Sequence, residues 1–85
     1  MDVLFSEVAL AQYVSWQVEN KKTFNRIYEL IKDIIRNGVS KGIGKPEKLR
    51  HIDGWSRRID EKNRLLYKIN EYGYLYIISC KGHYE

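Results

Sequence analysis

The chain has 85 residues, 44% of them hydrophobic and 31% charged, with a single proline. That composition fits one globular domain spanning residues 1–85 and excludes a disordered or low-complexity chain. Cys80 is the only cysteine, which excludes an intrachain disulfide and suits a reducing cytosol; one Cys and two His also make no four-ligand zinc site without acids or a second chain.

The N-terminus has neither a basic leader nor a long apolar run, so no signal peptide and no membrane span are expected, and the expected location is cytoplasmic. Val3-Leu4-Phe5 suits a short first strand. Ser6 is placed to cap a helix from about residue 7 to about 18, with Glu7 at its positive end. Asn20 is placed to cap a second helix over 21–37. There Phe24, Ile27, Tyr28, Ile31, Ile34 and Ile35 recur at helical spacing and form the expected buried face, and Gly38 is the expected stop.

Residues 38–54 hold four of the six glycines and Pro46, which predicts a long loop of the kind that often carries function. Beyond it the period becomes two. Trp55–Asp60 reads as a strand, with Trp55, Arg57 and Ile59 on one face and Ser56, Arg58 and Asp60 on the other. Arg64–Asn70 and Tyr74–Cys80 follow, joined by a turn at Glu71-Tyr72-Gly73, and short turns imply antiparallel neighbours. The expected fold is α+β: two N-terminal helices packed on one face of a small, mainly antiparallel twisted sheet, with the other face left to present arginines.

The net charge of +4 is unevenly spread. Residues 1–40 balance five bases against five acids, whereas residues 41–68 carry nine bases and four acids, a net of +5. A concentrated positive segment points to a polyanionic partner, and the aromatic residues are suited to stacking on bases as well as to filling a core. A lone Glu in a basic loop is ordinarily a solvated ion-pair partner worth under about 1 kcal/mol, and a terminal His is ordinarily an exposed passenger. His51 reads as structural or neutral. Arg57 and Arg58 alternate, so at most one of them faces any given site and the other is structural or an edge charge. Lys62 and Lys68 read as general electrostatic contacts for a bound nucleic acid. Trp16, Tyr13, Tyr28 and Tyr67 read as core or interface, and Cys80 as a buried strand residue.

Four stretches together resemble the YoeB/Txe toxins of the RelE/ParE-like superfamily: Gly44-Lys45-Pro46-Glu47-Lys48-Leu49, Trp55-Ser56-Arg57-Arg58-Ile59, Arg64-Leu65-Leu66-Tyr67 and Cys80-Lys81-Gly82-His83-Tyr84. The resemblance extends over essentially the whole chain. It departs at Lys48, where the better-known member has a second proline, in a loop before Trp55 that is two residues shorter, and in Glu85, which follows Tyr84.

The resemblance implies a cytoplasmic endoribonuclease that cuts messenger RNA in the ribosomal A site, typically as a homodimer, and that is neutralised by a cognate antitoxin of the YefM/Axe type. It assigns base, arginine, acid and stacking roles to Glu47, Arg64, His83 and Tyr84. Arg50 and Arg58 match basic positions that the family uses, and Lys45 and Lys48 add RNA-binding charge. The chemistry is coherent with those residue types. The ribose 2′-hydroxyl is the nucleophile, so cleavage needs a base, a cation for the phosphorane and an acid for the 5′-oxygen. Neither metal nor cofactor is called for. Two other readings stay open on this fold: a ParE-like gyrase-directed toxin, and a non-enzymatic nucleic-acid- or ribosome-binding module.

Overall fold

The computed structural model describes residues 1–83. The elements run β1 (Val3–Phe5), α1 (Glu7–Glu19), α2 (Lys21–Asn37), β2 (Glu47–Lys48), β3 (Trp55–Arg58), β4 (Arg64–Ile69) and β5 (Leu75–Ser79). The strands form one mixed sheet in the order β1-β5-β4-β3-β2. β1 lies parallel to β5, and the other pairs are antiparallel. The expected α+β architecture is the observed one.

Capping chemistry sets the helices. The Ser6 hydroxyl accepts the Ala9 amide at 2.9 Å and donates to the Ile78 carbonyl at 2.8 Å, so one side chain starts α1 and ties it to β5. Asn20 closes α1 by donating its amide to the Trp16 carbonyl at 2.9 Å. It opens α2 by accepting the Thr23 amide at 3.2 Å. One residue therefore serves as the joint of an α-hairpin. Gly38 ends α2 in the left-handed region, with φ of +91°, where an L side chain is disfavoured.

The core lies between the helices and one sheet face. Ala9, Trp16, Ile27, Leu30, Ile31 and Ile34 pack on Leu65, Tyr67, Leu75 and Ile77. Phe5, Tyr13 and Phe24 stack at its margin, with ring centroids 5.2 and 4.4 Å apart. The buried stripe of α2 is rotated from the expected one: Leu30 is fully buried, while Tyr28 and Ile35 are 52% and 42% exposed. Thr23, Ile27, Leu30, Ile31 and Ile34 form the inner face, and Tyr28 lies off it with the Lys32 ammonium 5.1 Å from its ring centre.

All three strands after the loop are shorter than the alternation suggests, and side-chain turns explain the losses after Arg58 and around the β4–β5 turn. The Asp60 carboxylate accepts the amides of Lys62 and Asn63 at 2.8 and 2.7 Å, which bends the chain away after Arg58. The Asn70 side-chain oxygen Oδ1 accepts the amides of Tyr72 and Tyr74, so Tyr74 belongs to the turn. The 38–54 segment is not wholly loop, because Glu47 and Lys48 pair with Ser56 and Trp55.

Arg57 is the polar centre of the core, with no exposed surface. Its guanidinium donates to the Asp33 carboxylate, the Tyr67 hydroxyl and the carbonyls of Gly38, Lys41 and Ile43. All five of its N–H groups are thereby used. Burial acts to raise the Asp33 pKa. Hydrogen bonds from Arg57, the Ile43 amide and Asn37 outweigh it and hold the carboxyl below its ordinary value.

Replacing Arg57 with leucine should lower unfolding free energy by roughly 3–5 kcal/mol, the usual cost of stranding one partner of a buried pair, measured by urea denaturation. Because the Asp33 pKa is depressed on folding, its contribution is complete above the unfolded value of about 3.9 and disappears as pH falls through the folded one. Asp33→Asn should therefore be less stable than wild type at neutral pH, with the gap closing on acidification. A gap that stays constant into the acid range would contradict this.

Candidate active site

The sheet face away from the helices carries the charged cluster. Alternation along β3 sends Arg57 inward and Ser56 and Arg58 outward. Register sets Ser56 opposite Leu66, Arg58 opposite Arg64, and Glu47 of β2 opposite Ser56. A cleft of about 260 Å³ opens there, lined by Glu47, Lys48, Leu49, Arg50, His51, Ser56, Arg64 and His83.

Arg64 is the best-fixed cation of the cleft. Its side chain is 16% exposed, and Nη2 lies 3.8 Å from the Glu47 carboxylate, whose side chain is 60% exposed. Nη1 donates to the Ser56 hydroxyl at 3.2 Å. An ion pair so open to water contributes under about 1 kcal/mol, so it holds Glu47 weakly. Arg64 keeps donor capacity for an incoming anion, and its planar fork suits a phosphate.

The 49–54 turn is held by the Leu49 amide donating to the Gly54 carbonyl at 3.0 Å. Gly54 has φ of +150°, and a Cβ there would lie 2.9 Å from the Tyr67 carbonyl, so glycine lets the loop pass close over the sheet. Upstream, the Arg58 amide donates to the Gly44 carbonyl at 2.7 Å, fixing the chain two residues before Pro46. Lys48 places its ammonium 5.5 Å from the centre of the Trp55 ring.

The chain beyond β5 is anchored from several sides. The Cys80 carbonyl accepts the Trp16 indole at 2.9 Å, and its amide donates to Gln12 at 2.7 Å. Lys81 pairs with Glu19 at 2.8 Å and lies 4.8 Å from the centre of the Trp16 ring. Gly82 donates to the Asn63 side chain at 2.8 Å and accepts the Arg64 amide at 3.0 Å. These contacts deliver His83 to the cleft.

Of the sequence-derived candidates, Glu47, Arg64 and His83 line one cleft, together with Lys48 and Arg50. Arg58 and Lys45 are exposed and are not among its lining residues; Arg58 shares the sheet face, and Lys45 sits at φ +51° in the loop before Pro46. Tyr84 lies outside the described residues. Sequence reasoning missed His51, which lines the cleft, and Gln12 and Asn63, which hold the tail. Gln12 and Trp16 stand one helical turn apart, a spacing that puts both on one face and could have flagged Gln12. Among the described residues, no cluster of three His, Cys, Asp or Glu is placed to hold a metal ion, and no helix is long and apolar enough to cross a membrane.

Residues 5–84 match the family model described as the YoeB-like toxin of bacterial type II toxin–antitoxin systems. The chain is 42% identical over 86 residues to toxin YoeB of Escherichia coli K12, covering 99% of this chain and 100% of that one. It superposes on the YoeB dimer of Staphylococcus aureus with a TM-score of 0.91 at 43% identity, covering 99% of this chain and 98% of the other. The YoeB–YefM complex from the same organism gives a TM-score of 0.89 at 43% identity and the same coverage.

Cys80 tests the anchoring of the tail. It is fully buried, its thiol donates to the Ala9 carbonyl at 3.6 Å, and burial pushes its pKa up to about 12. Alkylation needs the thiolate. Iodoacetamide at mildly alkaline pH should leave the native protein unmodified and label it stoichiometrically in denaturant, as read by intact mass. Rapid labelling of native protein would show that the segment around Cys80 releases from α1.

Proposed function

The chain belongs to the YoeB-like toxin family of bacterial type II toxin–antitoxin systems, and we propose that it is a single-domain, ribosome-dependent messenger-RNA endonuclease that cuts without a metal ion. The observation that carries this reading is the convergence of Glu47, Arg64 and His83 on one cleft. A fold alone does not decide a function. A carboxylate, a fixed guanidinium and an imidazole lining one cleft meet the needs of RNA transesterification, whereas a binding module or a gyrase-directed toxin needs no such set.

Glu47 takes the proton of the ribose 2′-hydroxyl as its oxygen attacks the adjacent phosphorus. Arg64 holds the non-bridging oxygens, whose negative charge grows in the phosphorane. His83, in its imidazolium form, donates a proton to the departing 5′-oxygen. The products are a 2′,3′-cyclic phosphate and a 5′-hydroxyl end. Tyr84 stacks on or orients a base. Lys45, Lys48, Arg50 and Arg58 supply the phosphate contacts that make ribosome and RNA binding fall with salt.

The Staphylococcus aureus relative has been seen as a dimer and in complex with YefM. We extend both to this chain: a homodimeric cytoplasmic toxin, neutralised by a YefM/Axe-type antitoxin whose acidic or aromatic segment covers the basic cleft. Binding of the antitoxin to the folded state alone would also stabilise a domain this small. An antitoxin complex that leaves the cleft open would contradict that assignment.

Purified protein incubated with translating ribosomes and a defined messenger should produce discrete cuts, mapped by primer extension, that are missing with naked RNA. Glu47→Gln and His83→Ala should each reduce cutting by roughly 10²–10⁴-fold, the usual worth of a general base or acid. Ribosome binding without cutting by the wild type would return the protein to the class of binding modules.

A further inference from the structure

We propose that Asn63 is a positioning residue that sets where His83 stands in the cleft; the inference rests on the ribonuclease reading of that cleft. Asn63 ends the β3–β4 turn and immediately precedes Arg64. Both ends of its side-chain amide are engaged. Nδ2 donates to both oxygens of the Asp60 carboxylate, each at 3.1 Å. Oδ1 accepts the Gly82 amide at 2.8 Å, across 19 positions of sequence.

The Gly82 carbonyl accepts the Arg64 amide at 3.0 Å. Gly82, the residue just before His83, is thus gripped on its N–H by Asn63 and on its C=O by the backbone of Arg64. One strand start therefore supplies the guanidinium and locates the imidazole, and their separation depends on that pair of hydrogen bonds. Gly82 sits at φ +94°, and an added Cβ would meet nothing within 4 Å. Its role is the left-handed turn that leads into His83.

Asparagine suits the position because Asp60 needs a donor and Gly82 needs an acceptor. Alanine supplies neither. Aspartate keeps the acceptor for Gly82 but sets a second carboxylate against Asp60. The two substitutions should therefore separate positioning from stability.

In Asn63→Ala, cutting at saturating ribosomes should fall about ten- to a hundredfold, the scale expected for ~1 Å of misplacement. The ribosome concentration giving half-maximal rate should be unchanged, and hydrogen exchange at the Gly82 amide should accelerate. Asn63→Asp should be less stable to urea than Asn63→Ala yet cut faster. Crossed orders of rate and stability support positioning. Rates that follow stability across the three proteins, or a Gly82 amide that exchanges equally slowly in Asn63→Ala and wild type, overturn it. A wild type that makes no cuts on ribosomes overturns the ribonuclease reading and the role of Asn63 with it; a wild type that cuts no faster than Asn63→Ala overturns the role alone.

Discussion

The buried guanidinium of Arg57 is the constraint from which the rest of the domain follows. Taking a charge out of water costs several kcal/mol unless its hydrogen bonds are replaced. Here each N–H finds an oxygen, from Asp33 on α2, Tyr67 on β4 and three carbonyls of the 38–43 segment. The Tyr67 hydroxyl in turn donates to the Val39 carbonyl at 2.6 Å. A segment with few apolar side chains thus gains the anchoring that packing could not give it. It is the segment that leads into Pro46 and Glu47, so the position of the carboxylate at the cleft depends on a cation on the opposite face of the sheet.

The same division of labour explains what could be read in advance. The helix limits follow from Ser6, Asn20 and Gly38, because a cap acts within four residues of its own position. The rotation of α2 was not legible, since periodicity names a stripe but not the side of it that the sheet presses on. Leu30 is buried because Leu65, Tyr67, Leu75 and Ile77 lie opposite it across the core, a fact of tertiary structure. β2 is likewise invisible locally: two exposed residues carry no alternation and become a strand only through β3. Alternation did place Arg57 on the same face as Trp55 and Ile59, but its acceptors lie 10 to 24 positions away.

For the site, Glu47, Arg64 and His83 were singled out by family resemblance. Their chemistry alone would have left Glu47 a surface ion and His83 a passenger. What the sequence withheld was the machinery that gathers them. Asn63 and Gln12 are polar residues of ordinary type, and their importance lies in partners 19 and 68 positions away. His51 read as neutral because its neighbours in the chain suggest nothing, while the turn closed by Leu49 and Gly54 brings it to the cleft.

The Glu47–Arg64 pair bears on why such a cleft could stay idle until its substrate is assembled. At 3.8 Å, with the carboxylate largely in water, the contact is weak enough to exchange. A phosphate entering the cleft offers Arg64 two oxygens at once, whereas Glu47 in its present position approaches it with one oxygen at 3.8 Å. In the ribonuclease reading, the phosphate takes over Arg64, and Glu47 is left facing the adjacent ribose with fewer cations competing for it. The phosphates also offset Lys48 and Arg50, which line the same space. Substrate binding would then create the electrostatic setting that the base requires. A free toxin would hold all its catalytic groups and still be a poor nuclease, and the ribosome's part would be to present the messenger so that a phosphate and its neighbouring 2′-hydroxyl arrive together.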